Sequence, residues 1–168
     1  PEPVSALDLK NVHTFSCDIS EEGNLEAVAT YLKENWQQVD ILIHNAGAIV
    51  NKAFEEISLK EFENIYRTNV FAVAGLTKTV LPFMGAEGHV VAISSMGGIQ
   101  GSVKFPGLSA YSSSKGAVIT LMELLAEEYK QKGPSFNVLA LGAVQTEMLQ
   151  EAFPGYQAPT SAAEMAGS

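Results

Sequence analysis

Short apolar runs alternate along this chain with longer stretches of helical periodicity, and that alternation limits the fold more than any other property. Val12 to Cys17 reads as a strand, and Glu21 to Gln37 as a helix with Leu25, Val28, Ala29 and Leu32 at helical spacing. Val39 to His44 is an apolar run of the kind buried within a parallel sheet. Ser58-Leu59-Lys60-Glu61 is a capping box, in which serine and glutamate satisfy the free N–H groups of a helix start. The helix that follows carries Leu59, Phe62, Ile65, Tyr66, Val70, Val73, Leu76 and Val80 on one broad face, and Pro82 should end or kink it. Gly88 to Ser94 reads as a strand, Ala110 to Lys130 as a helix, and Phe136 to Leu141 as a further strand. Gly142 to Thr160 reads as loop with a short helix. Such alternation implies βαβ units, so the expected fold is α/β: a doubly wound parallel sheet with helices on both faces, in three layers. Ligands of such sheets lie beyond the carboxyl ends of the strands.

Composition narrows the function. The chain of 168 residues suffices for one domain, and its formal charge of -9 disfavours nucleic acid and anionic membrane as partners. A single cysteine, Cys17, can form neither an internal disulfide nor a cysteine zinc site, so a reducing, cytoplasmic setting is expected. Residues Pro1 to Lys10 contain no apolar run, and no stretch has the length of a membrane span. His13, His44 and His89 are scattered without ligand spacing, so no metal site is expected. No serine sits in a Gly-x-Ser-x-Gly elbow, which argues against a serine hydrolase.

Tyr111-Ser112-Ser113-Ser114-Lys115 carries the strongest chemical signal. Residues four apart share a helix face, so a phenol and an ammonium stand side by side. A tyrosine with a pKa of about 10 is too weak a base at neutral pH, and a neighbouring cation lowers it. The pair is a proton donor and acceptor suited to an alcohol/carbonyl couple. Ser94 and Ser95 end a strand, where a hydroxyl can meet a substrate oxygen, or can simply close the strand into the turn Met96-Gly97-Gly98. His44-Asn45-Ala46-Gly47 ends another strand, and its small residues let backbone approach a ligand. Asn69 sits mid-helix, where asparagine needs a reason, and Asp18 follows a strand and could cap the next helix.

The order Asp18, Asn45-Ala46-Gly47, Asn69, Ser95, Tyr111 and Lys115 resembles the short-chain dehydrogenases/reductases, especially the compact branch with the 3-oxoacyl carrier-protein reductases. The resemblance runs from about Val12 to about Met148 and implies a Rossmann-like domain over residues 1–168 that binds NAD or NADP. Tyr111 would then be the general acid/base, and Lys115 would lower its pKa and hold the nicotinamide ribose. Ser95, second of its pair, would hold the substrate oxygen, and Asn69 would bend its helix and hold a water serving Lys115. Asp18 and Ile19 would meet the adenine, Asn45, Ala46 and Gly47 would line the adenosine side, and Gly142, Val144 and Thr146 would wrap the nicotinamide. The substrate would be a small carbonyl or alcohol. Two helices, at 59–81 and 111–130, are apolar over more than one stripe, and a homotetramer or dimer through them is expected.

Three departures from the family pattern stand out. Leu141 replaces the usual proline before Gly142; Ser95 and Tyr111 lie 16 positions apart, a few more than is common; and no Gly-rich pyrophosphate loop is found. The longer spacing suggests that Ser102 to Leu108 forms a loop over the substrate. The missing loop suggests a chain lacking the family's first two strands, with about 50 to 60 residues absent in front at roughly 30 per βαβ unit, and the stop at Ser168, soon after the capping box Ser161-Ala162-Ala163-Glu164, suggests that the last helix and strand are absent too. Starting at Pro1, such a chain should bind cofactor poorly, because the phosphate-cradling amides are missing. The competing reading is a non-catalytic relative, a binding or scaffolding protein that keeps the fold.

Overall fold

The computed structural model describes residues 11–167. Residues 1–10, read above as free of an apolar leader, lie outside the described residues. Helix α1 (Glu22–Asn35) leads into strand β1 (Ile41–His44), and α2 (Leu59–Tyr66) follows. A π-helical turn, Arg67–Phe71, joins α2 to α3 (Ala72–Val80) without a break in the helical path. Then come β2 (His89–Ser95), α4 (Ser109–Tyr129), β3 (Ser135–Leu141), β4 (Val144–Gln145), α5 (Glu147–Ala152), β5 (Thr160–Ser161) and α6 (Ala162–Ala166). Strands β1, β2 and β3 form a parallel sheet in that order, as the βαβ reading requires.

Local signals in the sequence explain most element boundaries. Ser58 caps α2 in the expected box: its Oγ accepts from the Glu61 amide, and the Glu61 carboxylate accepts from the Ser58 amide. Ser161 and Glu164 repeat the device at α6. Pro82 falls within a 3-10 turn, Leu81–Phe83, that ends α3. Proline leaves the preceding helix without an amide donor, which stops its ladder there.

The strand period of two sorts side chains between the faces of the sheet. Val90 and Ala92 point to the helical side and pack with Val73, Val118, Met122 and Phe136 in the main core. On the other face Ile41 and Ile43 stay 63% and 59% exposed, and Leu139 50%. The helices α3 and α4 that cover the sheet therefore form one of the two layers of a doubly wound fold.

Two elements differ from the sequence expectation. Val12 to Cys17 is not a strand. An extended segment becomes one only when a neighbour takes up its backbone groups, and no strand among the described residues pairs with it. Instead His13 and Phe15 lean on Tyr31, whose ring also meets Trp36. The stretch read as loop after Gly142 contains the two-residue strand β4, paired in parallel with β5. Pairs so short carry no periodicity to detect.

His44 is buried at the end of β1, its Nε2 2.8 Å from Thr77 Oγ1, while its Nδ1 has no hydrogen-bond partner. Burial disfavours the imidazolium and lowers its pKa to about 4. The unfolded chain thus takes up a proton at a higher pH than the folded one. Stability is full above the unfolded pKa, near 6.5, and declines as pH falls toward 4, by up to about 3 kcal/mol. Urea unfolding between pH 7 and pH 4.5 should show this decline, and His44→Gln should reduce its slope.

Candidate active site

The carboxyl ends of β1 and β2 meet the first turns of α4, and most of the singled-out residues lie there. Asn69 occupies the centre of the π-helical turn and is 1% exposed. Its Oδ1 accepts from the Ala48 amide at 2.8 Å, and its Nδ2 donates to the Ala48 carbonyl at 2.9 Å and to Ser114 Oγ at 2.9 Å. The Ser114 hydroxyl donates in turn to the Tyr111 carbonyl at 2.7 Å. A π turn holds one residue more than the α-helical repeat, which frees a side chain to leave the helix surface. One amide thus ties the loop after β1 to the helix that carries Tyr111 and Lys115.

The two serines ending β2 have different surroundings. Ser94 is buried and donates to the Lys115 carbonyl at 2.8 Å, so it serves packing. Ser95 is half-buried, accepts from the Gly97 amide at 3.2 Å, and lies close enough to the Tyr111 phenol to lower its pKa. Lys115 is 6% exposed; its Nζ lies 5.8 Å from the Tyr111 ring centroid and donates to the Ile93 carbonyl at 2.8 Å.

Burial dominates the electrostatics of this pair. It pushes the Tyr111 phenol above its ordinary pKa, while the nearby Ser95 hydroxyl pulls it down. It pushes the Lys115 ammonium below its ordinary value. The Tyr111–Lys115 spacing alone predicts that the lysine lowers the phenol's pKa. In this arrangement the Lys115 ammonium is bound to a backbone carbonyl, and the opposing pull on Tyr111 comes from Ser95.

The other expected cofactor residues divide into two groups. Asn45 and Ala46 are exposed at the end of β1, and a Cβ on Gly47 would lie 3.5 Å from both Asn69 Oδ1 and Lys115 Nζ. Gly47 thus lies against an ammonium and an amide oxygen, groups of the kind that bind a sugar hydroxyl. Gly142 lies near Met96, Val144 belongs to β4, and the Thr146 hydroxyl caps α5 by accepting from the Leu149 amide. Asp18 is exposed and accepts from the Ser20 amide and hydroxyl, which lower its pKa. Ile19 lines an apolar cavity with Val28, Tyr31 and Leu76, apart from the Tyr111 cluster. Ser114 and the Ile93 carbonyl were not singled out from the sequence. Ser114 stood in plain view inside the Tyr111 motif, but its partner lies 45 positions away.

Behind Ser95, the turn Met96–Gly98 presses on α4. A Cβ on Gly98 would lie 2.7 Å from the Gly116 nitrogen and the Lys115 carbonyl carbon, so only glycine allows this approach of backbone to backbone.

The short chain dehydrogenase family model matches residues 3–157. Dehydrogenase/reductase SDR family member 7B of Bos taurus is 34% identical over 137 residues, 80% of this chain and 41% of that protein. L-2,3-butanediol dehydrogenase of Corynebacterium glutamicum is 32% identical over 151 residues, 88% of this chain and 57% of that protein. The chain therefore spans about half the length of these relatives. A solved short chain dehydrogenase from Salmonella enterica serovar Typhi superposes with a TM-score of 0.77 at 28% identity, covering 85% of this chain and 60% of that one. A chain from Escherichia coli CFT073, described as a short chain dehydrogenase complexed with NADPH, gives 0.76 at 29%, with the same coverages of 85% and 60%.

The close approach at Gly98 has a measurable cost. Gly98→Ala should destabilise the fold by about 1–3 kcal/mol, because the added methyl meets backbone that cannot turn away. Gly23→Ala, within α1 and with open space around it, should stabilise by about 0.5–1 kcal/mol. Urea denaturation of both variants reads the contrast.

Proposed function

The chain belongs to the short-chain dehydrogenase family, and from that premise we propose that it is the catalytic part of an NAD(P)-dependent oxidoreductase acting on a small carbonyl or alcohol, with Tyr111 as its general acid/base. The observation that carries this reading is the convergence of Ser95, Tyr111 and Lys115 at the carboxyl end of β2, where Lys115 Nζ lies 5.8 Å from the Tyr111 ring centroid and donates to the Ile93 carbonyl.

Each residue takes a role that follows from its surroundings. Tyr111 keeps its proton at neutral pH, since burial raises its pKa, and can give that proton to a carbonyl oxygen as the carbonyl is reduced. Ser95 can donate to the same oxygen and stabilise the charge developing on it. Lys115, held by the Ile93 carbonyl beside Gly47, supplies a cation near the phenolate left after proton transfer and a donor for the nicotinamide ribose. Asn69 positions these groups through Ala48 and Ser114. Asn45, Ala46 and Gly47 would line the adenosine side of the cofactor, with Gly142, Val144 and Thr146 near the nicotinamide and Asp18 and Ile19 toward the adenine. When bound, the cofactor supplies or accepts the hydride. The cofactor of the Escherichia coli neighbour, NADPH, supports this class of ligand.

The outward faces of α2 and α4, together with the π turn between α2 and α3, leave Leu59, Phe71 and Leu124 exposed at 90%, 60% and 63%. Large apolar side chains in such positions suit a contact between copies of the chain. Leu124→Glu should shift gel filtration of the full-length protein toward a smaller species; an unchanged elution would remove this assembly.

Tyr111→Phe deletes the proton donor and preserves the ring. In the full-length protein, turnover of a carbonyl substrate should fall by about 10²–10⁴-fold, while nicotinamide fluorescence on cofactor binding should persist. Normal turnover by this variant would overturn the assignment.

A further inference from the structure

The loop between Ser95 and α4 holds a second polar cluster that the proposed chemistry leaves unused. Lys104 reaches back across this loop. Its ammonium donates to the Gly97 carbonyl at 2.9 Å, the Ile99 carbonyl at 2.6 Å and Ser102 Oγ at 2.8 Å. An ammonium has three N–H donors, and each has an acceptor here. A surface lysine in a long loop would ordinarily be a solvated charge, or a candidate for binding an anionic substrate. With its three donors committed to the loop itself, Lys104 fits neither description.

The cluster connects to Ser95 through a single peptide unit. Ser102 Oγ, held by Lys104, lies 2.6 Å from the Met96 carbonyl and 2.9 Å from the Ile99 carbonyl. Its one proton goes to Met96, the nearer acceptor. The Met96 carbonyl and the Gly97 amide are the two ends of one planar trans peptide, so they point in opposite directions. Anchoring the carbonyl at Ser102 aims the amide the other way, where it donates to Ser95 Oγ at 3.2 Å. With a lone pair of Ser95 engaged from that side, the serine hydroxyl is limited in direction, near enough to the Tyr111 phenol to lower its pKa.

We propose that Lys104 is a positioning residue that acts through Ser102 and the Met96–Gly97 peptide to orient the Ser95 hydroxyl toward Tyr111. This inference rests on the roles assigned above to Ser95 and Tyr111. It also gives a purpose to the long spacing between them: the extra residues let the chain return far enough to lock the turn behind the serine.

The Gly97 amide reports the link directly, because it is the donor to Ser95. Amide hydrogen exchange followed by NMR on the full-length protein should show Gly97 exchanging about tenfold faster in Lys104→Met and in Ser102→Ala, the scale of one lost hydrogen bond. Val118 and Met122, in the core face of α4, should keep their rates, and Lys104→Arg should restore most of the protection at Gly97. In turnover of a small aldehyde with the nicotinamide cofactor, Lys104→Met should lower kcat about tenfold and leave the cofactor KM unchanged. In a Ser95→Ala background the same substitution should cost nothing further, since coupled residues are not additive. Unchanged exchange at Gly97, or acceleration shared equally by Val118 and Met122, would overturn the proposal. So would a kcat loss of equal size with and without Ser95. Absence of turnover in the unaltered protein would count against the catalytic reading alone, and Gly97 exchange would then decide whether Lys104 holds the partner of Ser95.

Discussion

The side-chain amide of Asn69 is the hinge of this architecture. It is almost wholly buried, and its two hydrogens and its oxygen are shared between the loop after β1 and the helix α4. Those segments are distant in sequence, and neither has a regular ladder to hold it to the other. A buried amide left unpaired costs about 1–3 kcal/mol, so the three bonds stand or fall together. Gly47 is thereby held beside Lys115, and the first turns of α4 are fixed above the end of β2.

Burial has a second effect on the same residues. It makes Tyr111 a weaker acid and Lys115 a weaker base, so each is biased toward its neutral form. Two polar atoms resist that bias: the Ser95 hydroxyl at the phenol and the Ile93 carbonyl at the ammonium. Both come from β2, whose register is set by pairing with β1 on one side and β3 on the other. The parallel sheet therefore shapes the electrostatics of the site through the positions of its strand ends.

Local chemistry was readable in the sequence wherever a residue acts on its near neighbours. The Ser58–Glu61 box, the stop at Pro82 and the 111–115 spacing all fall within one helical turn, and all are present. The parallel sheet followed from alternation, because parallel strands need helical crossovers. Long-range partnerships were not readable. Val12 to Cys17 has a strand's composition and pairs with no strand among the described residues. Lys104 carries no signal in the sequence, because two of its three acceptors are backbone carbonyls, which no sequence displays. Asn69 drew attention as an asparagine out of place, but the π turn around it could not be seen, since Arg67–Phe71 continues the helical composition on both sides.

That π turn also restricts how the chain can change. Deleting one residue between Arg67 and Phe71 would relieve the bulge and leave an uninterrupted α-helix. The π turn takes up its one extra residue in place, so the helices on either side would keep their phase. Val73, Thr77 and Val80 would stay in the core that they share with the sheet and α1. The deletion would instead remove the bulge from which the Asn69 side chain leaves the helix surface, and with it the link to Ala48 and Ser114. The surplus residue in this stretch thus serves the polar tie and not the packing of the helix that carries it.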